Sequence, residues 1–258
     1  MATDRRPAPA DLGKTTRAYV KAMGWRSVNL HTHISLVNRY VYVEVPKAGC
    51  GTMKSTLGGM EAARFGPSFV DQVQANPHDR KAQSPFVRPF QLPSDVLEEA
   101  FRSRKWKRFT VVRDPASRLL SGYLEKILQG LRQSGPIMEL LTERGTPVDS
   151  AADISFAQFV DVVSSIPSRH QDPHWRRQAD HIGYGIVDYD AIIHLEDLDQ
   201  SWGRIGDLVR VPDLHGEFFC KYSTKASTRV GDYFTAELRQ QVAQAYADDY
   251  RAFGYPLP

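Results

Sequence analysis

The sequence predicts an α/β fold in which a mainly parallel sheet is flanked by helices. Helical patterns alternate with short apolar runs along the chain, and such alternation is typical of parallel strands joined by right-handed crossovers. The apolar runs are rich in β-branched and aromatic residues, which favours buried strands. These runs are HISLV (33–37), YVYVEV (40–45), RFTVV (108–112) and DAIIHL (190–195).

The first two runs flank Asn38 and Arg39, and this short separation predicts an antiparallel pair. Helices are predicted where apolar residues recur at spacings of three and four. Such patterns cover 53–63, 94–103, 116–131, 155–164 and 200–209. A last helix is predicted to begin at Thr235, an N-cap residue, and to end at Gly254 and Pro256. Its apolar stripe consists of Leu238, Val242, Tyr246, Tyr250 and Phe253.

Composition and charge argue against several classes of protein. The chain of 258 residues has 33 lysines and arginines against 30 acidic residues. The net charge of +3 is too small for general nucleic-acid binding, so we expect no nucleic-acid partner. Cys50 and Cys220 have neither disulfide-like nor metal-like spacing, which favours a reducing compartment and a cytoplasmic location. The start of the chain has no apolar run that resembles a signal peptide or membrane span.

The stretch YVYVEVPKAGCGTMKST has the order of elements that an anion site needs. It predicts a strand that ends at Val45, a turn containing Gly49 and Gly51, and a helix from Thr52. Backbone N–H groups and the positive end of the helix then converge on one small volume, which suits a phosphate. The alternative is a tight turn with no ligand, because short glycine motifs are often false positives.

Side chains around this turn add to the expected anion site. Lys47 and Lys54 supply positive charge, and the hydroxyls of Thr52, Ser55 and Thr56 are further hydrogen-bond donors. In the alternative interpretation the two lysines are merely solvated.

The spacing argues against a nucleoside triphosphate as the ligand. A Walker A loop needs a glycine directly before its lysine and another five positions earlier. Met53 and Ala48 occupy those positions here.

The stretch FTVVRDPASRLLSGYLEK predicts a second strand that runs directly into a helix. Arg113 follows the strand, Pro115 begins the helix, and Arg118 and Ser121 lie three residues apart on it. Ligands of parallel sheets bind outside the carboxyl ends of the strands, so this strand end predicts a second phosphate site. The alternative is that these side chains only cap or pair locally.

The segments VPKAGCGTMK (45–54) and VVRDPASRLLSGY (111–123) resemble the two nucleotide-binding signatures of sulfotransferases. The resemblance is to the carbohydrate sulfotransferase group often called sulfotransferase family 2. It implies a P-loop-like three-layer α/β fold that binds 3′-phosphoadenosine 5′-phosphosulfate (PAPS) without a metal. With the arginine- and proline-rich start, we expect a flexible tail at 1–24 and a single sulfotransferase-like domain at 25–258.

The resemblance also implies which residues bind PAPS. Arg113 and Ser121 would hold the 3′-phosphate. One residue departs from the pattern, because the family commonly has threonine where this chain has Gly51. The residues implied to surround the 5′-phosphosulfate are Lys47, Ala48, Gly49, Cys50, Gly51, Thr52, Met53 and Lys54.

Two further segments are expected to complete the site. In similar enzymes a late loop closes over the nucleotide, and here Lys225, Ser227 and Arg229 lie in the polar segment 219–234. The alternative is a solvated connector. The segment 130–154, with its glycines and prolines, resembles a variable insertion that shapes the acceptor site.

Sulfuryl transfer needs a cation at the leaving group and a base at the acceptor. Lys47 is our candidate for the cation. Candidates for the base are His174 and His78, with Glu61 as a weaker third. The alternative for His174 is a structural role in packing beside Trp175.

The leading hypothesis is an enzyme that transfers a sulfuryl group from PAPS to a hydroxyl of a glycan or glycoconjugate. Two alternatives remain open: a catalytically silent nucleotide-binding or interaction protein, and a kinase-like P-loop phosphotransferase. Dependence on magnesium would distinguish the last, since phosphoryl transfer needs the metal.

Overall fold

A computed structural model describes residues 8–78, 84–220 and 223–257. Its strands form one sheet of order β1-β2-β3-β4. They are β1 (Thr32–Ser35), β2 (Tyr40–Val43), β3 (Lys107–Val112) and β4 (Ala191–His194). β1 pairs antiparallel with β2, whereas β2, β3 and β4 are mutually parallel. The predicted α/β class, the four strands and the initial antiparallel pair are therefore confirmed.

The helices of the described residues lie before the first strand, between later strands and in the C-terminal part of the chain. Those before β3 are α1 (Lys14–Met23), α2 (Trp25–His31), α3 (Cys50–Ala62), α4 (Pro67–Ala75) and α5 (Ser94–Arg102). Those between β3 and β4 are α6 (Pro115–Gly122), α7 (Ser134–Glu143), α8 (Phe156–Ser165) and α9 (Gln178–Ile182). Those after β4 are α10 (Trp202–Val209), α11 (Ala226–Tyr233), α12 (Ala236–Ala245) and α13 (Ala247–Phe253).

The chain divides into two compact units, each with its own core. The sheet unit comprises the described residues up to Val112 together with His181–Cys220. The helical unit comprises Arg113–Asp180 together with the described residues from 223 onward. The predicted single domain over 25–258 is not tested by this division and stays a prediction.

The core of the sheet unit forms on the apolar side chains of the strands. Tyr42 and Phe109 face each other across β2 and β3 with ring centroids 5.5 Å apart. Met53 and Leu57 of α3 and Ile205 of α10 belong to the same buried cluster. Because β-branched and aromatic residues fit a pleated surface packed on both sides, the apolar runs form the buried strands that they predict.

The core of the helical unit is largely aromatic. Phe159 of α8 packs edge-to-face on Trp175, with ring centroids 5.2 Å apart. Four residues of the stripe predicted for the last helix are buried: Val242, Tyr246, Tyr250 and Phe253. The predicted N-cap is confirmed, since Thr235 Oγ1 accepts a hydrogen bond from the Leu238 amide.

Several predicted boundaries are wrong. The last helix is two helices, because Tyr246 leaves helical geometry at φ −111° and ψ 22°. The stripe continues across the break, so periodicity alone does not reveal it. The helix predicted over 116–131 ends its α-helical part at Gly122 and continues as a π-helical turn, Tyr123–Ile127.

The flexible tail predicted for residues 1–24 is wrong where the structure describes α1. Tyr19 of α1 is fully buried and donates a hydrogen bond to the carbonyl of His181. The first turn of α1 is fixed by Glu98, which accepts hydrogen bonds from the amides of Thr15 and Thr16. Residues 1–7 of the predicted tail lie outside the described residues.

None of the helices in the described part of the chain combines the length and the apolar character that a membrane crossing requires.

Candidate active site

The turn after β2 holds Lys47 in a conformation that favours glycine. Pro46 and Lys47 form the middle of the turn, and the Ala48 amide donates a hydrogen bond to the Val45 carbonyl at 3.2 Å. Lys47 has φ +70°, as the third residue of a type II turn requires. A side chain in this region costs of the order of 1 kcal/mol, and such strain clusters at functional sites. The turn therefore presents a lysine where packing alone favours glycine.

Gly49 ends the turn and begins α3 for two physical reasons. It has φ +70°, and a Cβ at this position would lie 2.7 Å from Leu195 Cδ1. As the N-cap of α3, Gly49 brings no side-chain acceptor to the first turn. Gly49 itself thus supplies no side-chain cap to the amide groups at the start of α3, and uncapped amides at a helix N-terminus are an arrangement that binds anions.

The residue directly before this turn, Glu44, is a buried carboxylate. Its two oxygens contact Lys54 Nζ at 2.6 Å, His31 Nδ1 at 2.9 Å and His33 Nε2 at 3.0 Å. Burial by itself raises the pKa of a carboxyl, but the Lys54 charge and the two histidine hydrogen bonds outweigh it. The pKa of Glu44 is held well below its usual range, so Glu44 is ionised.

Lys54, which was expected to add positive charge to the anion site, has partners inside the sheet unit. Its side chain is buried and its ammonium is paired with Glu44. It also contacts His78 Nδ1 at 2.8 Å. A cavity opens beside this cluster, lined in part by His33, Lys54 and Arg88.

The two histidines proposed as bases lie in different units. His78 lies in the sheet unit, where its Nε2 would be 3.3 Å from a Cβ on Gly51. His174 lies in the helical unit, with its Nδ1 2.5 Å from Asp172 Oδ1. Burial raises the pKa of Asp172, but hydrogen bonds from His174 outweigh it and lower the pKa. Since an ionised carboxylate accepts from Nδ1–H, neutral His174 presents its lone pair at Nε2.

Glu61, the third candidate for the base, lies away from the anion-binding turn. It lies near the C-terminal end of α3, whereas the anion-binding turn is at the other end. Its oxygens accept hydrogen bonds from Asn38 Nδ2 at 2.8 Å and pair with Arg64 at 2.8 Å. Most of the 13-residue helix α3 separates Glu61 from the turn, and its role as the weaker base candidate stays a prediction.

The segment 217–219 packs over the start of α3 and occupies hydroxyls that were expected to bind the anion. Thr52 Oγ1 lies 3.2 Å from the Phe219 amide and 3.3 Å from its carbonyl oxygen. Thr56 Oγ1 accepts from the Glu217 amide at 2.7 Å. A Cβ on Gly51 would lie 3.0 Å from the Phe219 carbonyl oxygen. The departure at Gly51 thus makes room for this segment.

The remaining loop residues have mixed surroundings. Ala48 and Met53 are fully buried, so of these two residues only backbone groups are available to an anion. Burial raises the pKa of the Cys50 thiol. Ser55 is buried as well.

In the helical unit, Arg113 is held through its backbone. Gln178 Oε1 accepts from the Arg113 amide at 2.9 Å, and Gln178 Nε2 donates to the Arg113 carbonyl at 2.8 Å. The Gln178 amide in turn donates to buried Asp249 at 2.8 Å. Burial raises the pKa of Asp249 to about 6. The Arg113 guanidinium donates a hydrogen bond to Ser227 Oγ at 2.9 Å. Ser227, from the predicted late loop, thus contacts the arginine that is predicted to bind the 3′-phosphate.

Ser121 and Arg118, both on α6, have different surroundings. Ser121 Oγ lies 3.1 Å from Thr224 Oγ1, on the segment that leads into α11. Arg118 is fully buried and donates to the carbonyls of Arg176 and Pro173, each at 2.8 Å. Arg118 thus holds the backbone beside His174.

The predicted late loop is largely helical. Lys225 precedes α11 with φ +48°, and Arg229 lies over the Tyr233 ring at 5.2 Å from its centroid. Similarly, the predicted insertion at 130–154 contains α7. Both segments are rich in glycine or polar residues, and packing against α6 and α8 rather than intrinsic propensity makes them helical.

Sequence reasoning missed Glu44, His31 and His33. A signal was present, because Glu44 is the one acidic residue inside the otherwise apolar run YVYVEV, and the two histidines alternate in HTHIS. Gln178, which fixes Arg113, has no such signal. Although Glu44 contacts both histidines, no group of three or more His, Cys, Asp or Glu side chains among the described residues is arranged to hold a metal ion.

Comparison with known proteins identifies relatives over most of the chain. The model of the sulfotransferase family matches residues 31–256. Carbohydrate sulfotransferase 14 of Mus musculus is 24% identical over 244 residues, which cover 90% of this chain and 62% of the relative. Carbohydrate sulfotransferase 14 of Danio rerio is 25% identical over 243 residues, which cover 88% of this chain and 63% of the relative. Carbohydrate sulfotransferase 11 of Rattus norvegicus is 23% identical over 248 residues, which cover 88% of this chain and 68% of the relative.

The chain thus spans 62–63% of the length of two of these curated relatives. No solved structure matches it significantly.

The close contacts around Gly51 predict that any side chain at this position lowers the stability of the fold. We expect Gly51→Ala to lower the free energy of unfolding by about 1–3 kcal/mol, because the Phe219 carbonyl must move. Gly203→Ala is the matched control, since Gly203 is also the second residue of its helix but has nothing within 4 Å. It should gain up to about 1 kcal/mol from helix propensity. Equal effects of the two substitutions in urea unfolding would contradict this explanation.

The His33 environment predicts a loss of stability in acid. Burial and the Arg88 charge lower the pKa of His33 to about 3, so the folded state keeps this ring neutral. The unfolded chain binds the proton below about pH 6.5, and the free energy of unfolding therefore falls as pH drops from there toward 3. His33→Gln should flatten this slope, whereas exposed His215→Gln should not. If unfolding curves at pH 7 and pH 5 show the same pH dependence of the free energy of unfolding for wild type and His33→Gln, this explanation is disproved.

Proposed function

Because the chain belongs to the sulfotransferase family, we propose that it transfers a sulfuryl group from PAPS to a hydroxyl of a carbohydrate acceptor. The observation that carries this proposal is the turn at Lys47–Gly49. Two positive-φ residues there lead into a helix with no side-chain cap, and one of them is a lysine. The carbohydrate acceptor is supported by the names of the similar proteins, which are carbohydrate sulfotransferases.

The residues present fit the phosphate groups of PAPS. Lys47 and the amides that begin α3 would hold the 5′-phosphosulfate, since Lys54 is paired with Glu44 and the Thr52 hydroxyl is occupied. Arg113 and Ser121 would hold the 3′-phosphate, and the side chains that contact them now, Ser227 and Thr224, carry only hydroxyls. Because a hydroxyl can rotate and donate a hydrogen bond to a phosphate, neither contact prevents a phosphate from binding.

The chemistry that bound PAPS supplies is an activated sulfuryl group. A bond forms between the acceptor oxygen and sulfur while the bond from sulfur to the 5′-phosphate oxygen breaks. Lys47 stabilises the negative charge that grows on that phosphate oxygen, where it acts more strongly on the transition state than on the ground state. The acceptor proton goes to the Nε2 of His174, which Asp172 keeps as the acceptor nitrogen.

Location and partners are part of this proposal. We expect a glycan or glycoconjugate as the acceptor, no nucleic-acid partner, no metal in the reaction and a cytoplasmic enzyme. The last three expectations come from charge, from the family resemblance and from cysteine content respectively.

The proposal is tested by incubating the chain with radiolabelled PAPS and a panel of desulfated glycans, with and without a chelator of divalent cations. Label should reach an acceptor in both conditions. Transfer of phosphate from ATP that needs magnesium would instead support the kinase alternative. PAPS binding without any transfer would support the silent nucleotide-binding protein.

Substitution separates the roles of Lys47 and Arg113. Lys47→Ala should lower kcat about 10²–10³-fold, as loss of a transition-state contact does, with a smaller effect on nucleotide affinity. Arg113→Ala should weaken binding of adenosine 3′,5′-bisphosphate by about 1.5–3 kcal/mol, the usual value of a charged hydrogen bond. Arg102→Ala, an exposed arginine, is the control. Equal losses of affinity with unchanged kcat in both variants would refute the assignment.

The tautomer of His174 predicts a large kinetic effect. His174→Ala should lower kcat by about 10²–10⁴-fold and leave calorimetric binding of the bisphosphate intact. Exposed His170→Ala is the matched control. A fall in thermal stability with little change in kcat would mean that His174 only packs beside Trp175. If His78→Ala abolishes turnover with bisphosphate affinity unchanged and His174→Ala does not, the base is His78.

A further inference from the structure

Lys54 bridges a carboxylate and an imidazole inside the sheet unit. Its Nζ is 2.6 Å from Glu44 Oε2 and 2.8 Å from His78 Nδ1. The side chains of both Lys54 and Glu44 are about 95% buried. Glu44 is further fixed by His31 and His33, so the position of the Lys54 ammonium is set from several sides.

This bridge determines which nitrogen of His78 carries a proton. A lysine ammonium has three donors and no acceptor, so the hydrogen bond at His78 Nδ1 needs the lone pair of that nitrogen. In the neutral ring the proton then resides on Nε2. The arrangement is opposite to that of His174, whose Nδ1 faces the carboxylate of Asp172.

The protonated nitrogen of His78 lies at the start of α3. His78 Nε2 would be 3.3 Å from a Cβ on Gly51, and the Phe219 carbonyl oxygen would be 3.0 Å from the same Cβ. This is the end of the helix where the amides that follow Gly49 lack a side-chain cap. The imidazole N–H of His78 and the backbone N–H groups at the start of α3 are all hydrogen-bond donors, so all of them favour a negatively charged ligand.

We propose that His78 is a hydrogen-bond donor, through Nε2, to the anionic group bound at the Lys47–Gly49 turn, and that Lys54 and Glu44 are positioning residues that fix this tautomer. The inference rests on the proposed function, since it assigns a role in the same donor site. It removes His78 from the candidates for the general base, because a base needs its lone pair at the nitrogen that faces the reactants. Lys54 acts on the anion through His78 rather than directly.

The tautomer is measured directly by ¹⁵N NMR of the full chain with labelled histidine. We expect neutral His78 to have its proton on Nε2, both in the free protein and with saturating adenosine 3′,5′-bisphosphate. Lys54→Met should increase the Nδ1–H population, whereas Lys21→Met, an exposed lysine, should not change it. The measurement on the wild type needs no variant, so it decides the tautomer even if Lys54→Met fails to fold.

The donor role is tested by two substitutions of His78 with calorimetric titration of the bisphosphate. His78→Ala should weaken binding about 10–100-fold, as loss of a charge-assisted hydrogen bond does. His78→Gln should recover part of this affinity, because the glutamine amide places an N–H near the position of Nε2, and it should recover kcat in parallel. A general base would not be replaced by glutamine, and kcat would stay down by about 10²–10⁴-fold.

These outcomes separate the inference from the function on which it rests. An Nδ1–H tautomer in the wild type, or a change to it when the bisphosphate binds, overturns the donor role. Unchanged affinity in His78→Ala overturns it as well, while the sulfotransferase proposal stands. If the wild type does not bind the bisphosphate at all, the proposed function fails and the inference fails with it.

Discussion

The ion pair between Glu44 and Lys54 is the interaction on which the sheet-unit site depends. Glu44 is the residue that follows β2, and its carboxylate ties that strand end to α3 through Lys54. The same carboxylate accepts from His31 and His33, which lie at the junction of α2 and β1. Removing one partner from such a buried pair typically costs about 3–5 kcal/mol, because the remaining charge is left uncompensated. The pair therefore constrains the geometry of the turn between them.

The turn that this pair spans is both strained and closely packed. Lys47 has φ +70°, and Gly49 packs against Leu195. The Phe219 amide donates a hydrogen bond to the Thr52 hydroxyl, and the Phe219 carbonyl lies close to Gly51. The anion-binding capacity of the turn consequently comes from Lys47 and from backbone amides rather than from hydroxyl side chains.

The helical unit positions its functional side chains in a different way, through hydrogen bonds to main-chain groups. Asp249 accepts from the Gln178 amide, and Gln178 bonds both backbone groups of Arg113. Arg118 likewise binds the carbonyls of the segment that carries His174. A backbone held at several points leaves side chains such as the Arg113 guanidinium in a defined direction, and preorganised direction is what an anion site requires.

The sequence by itself determined the α/β class, the four strands, the two strand-to-helix turns and the family resemblance. These follow from local patterns: β-branched runs, Gly49 before a helix, and an arginine directly after a strand. Only the tertiary structure decided the partners of each side chain. Lys54 binds Glu44 across the turn between them, whereas the contacts of Phe219 with Gly51 and of Gln178 with Arg113 join segments far apart in the chain. Periodicity and propensity report on neighbours along a helix or strand, whereas charges and hydroxyls are partnered by whatever the fold places beside them.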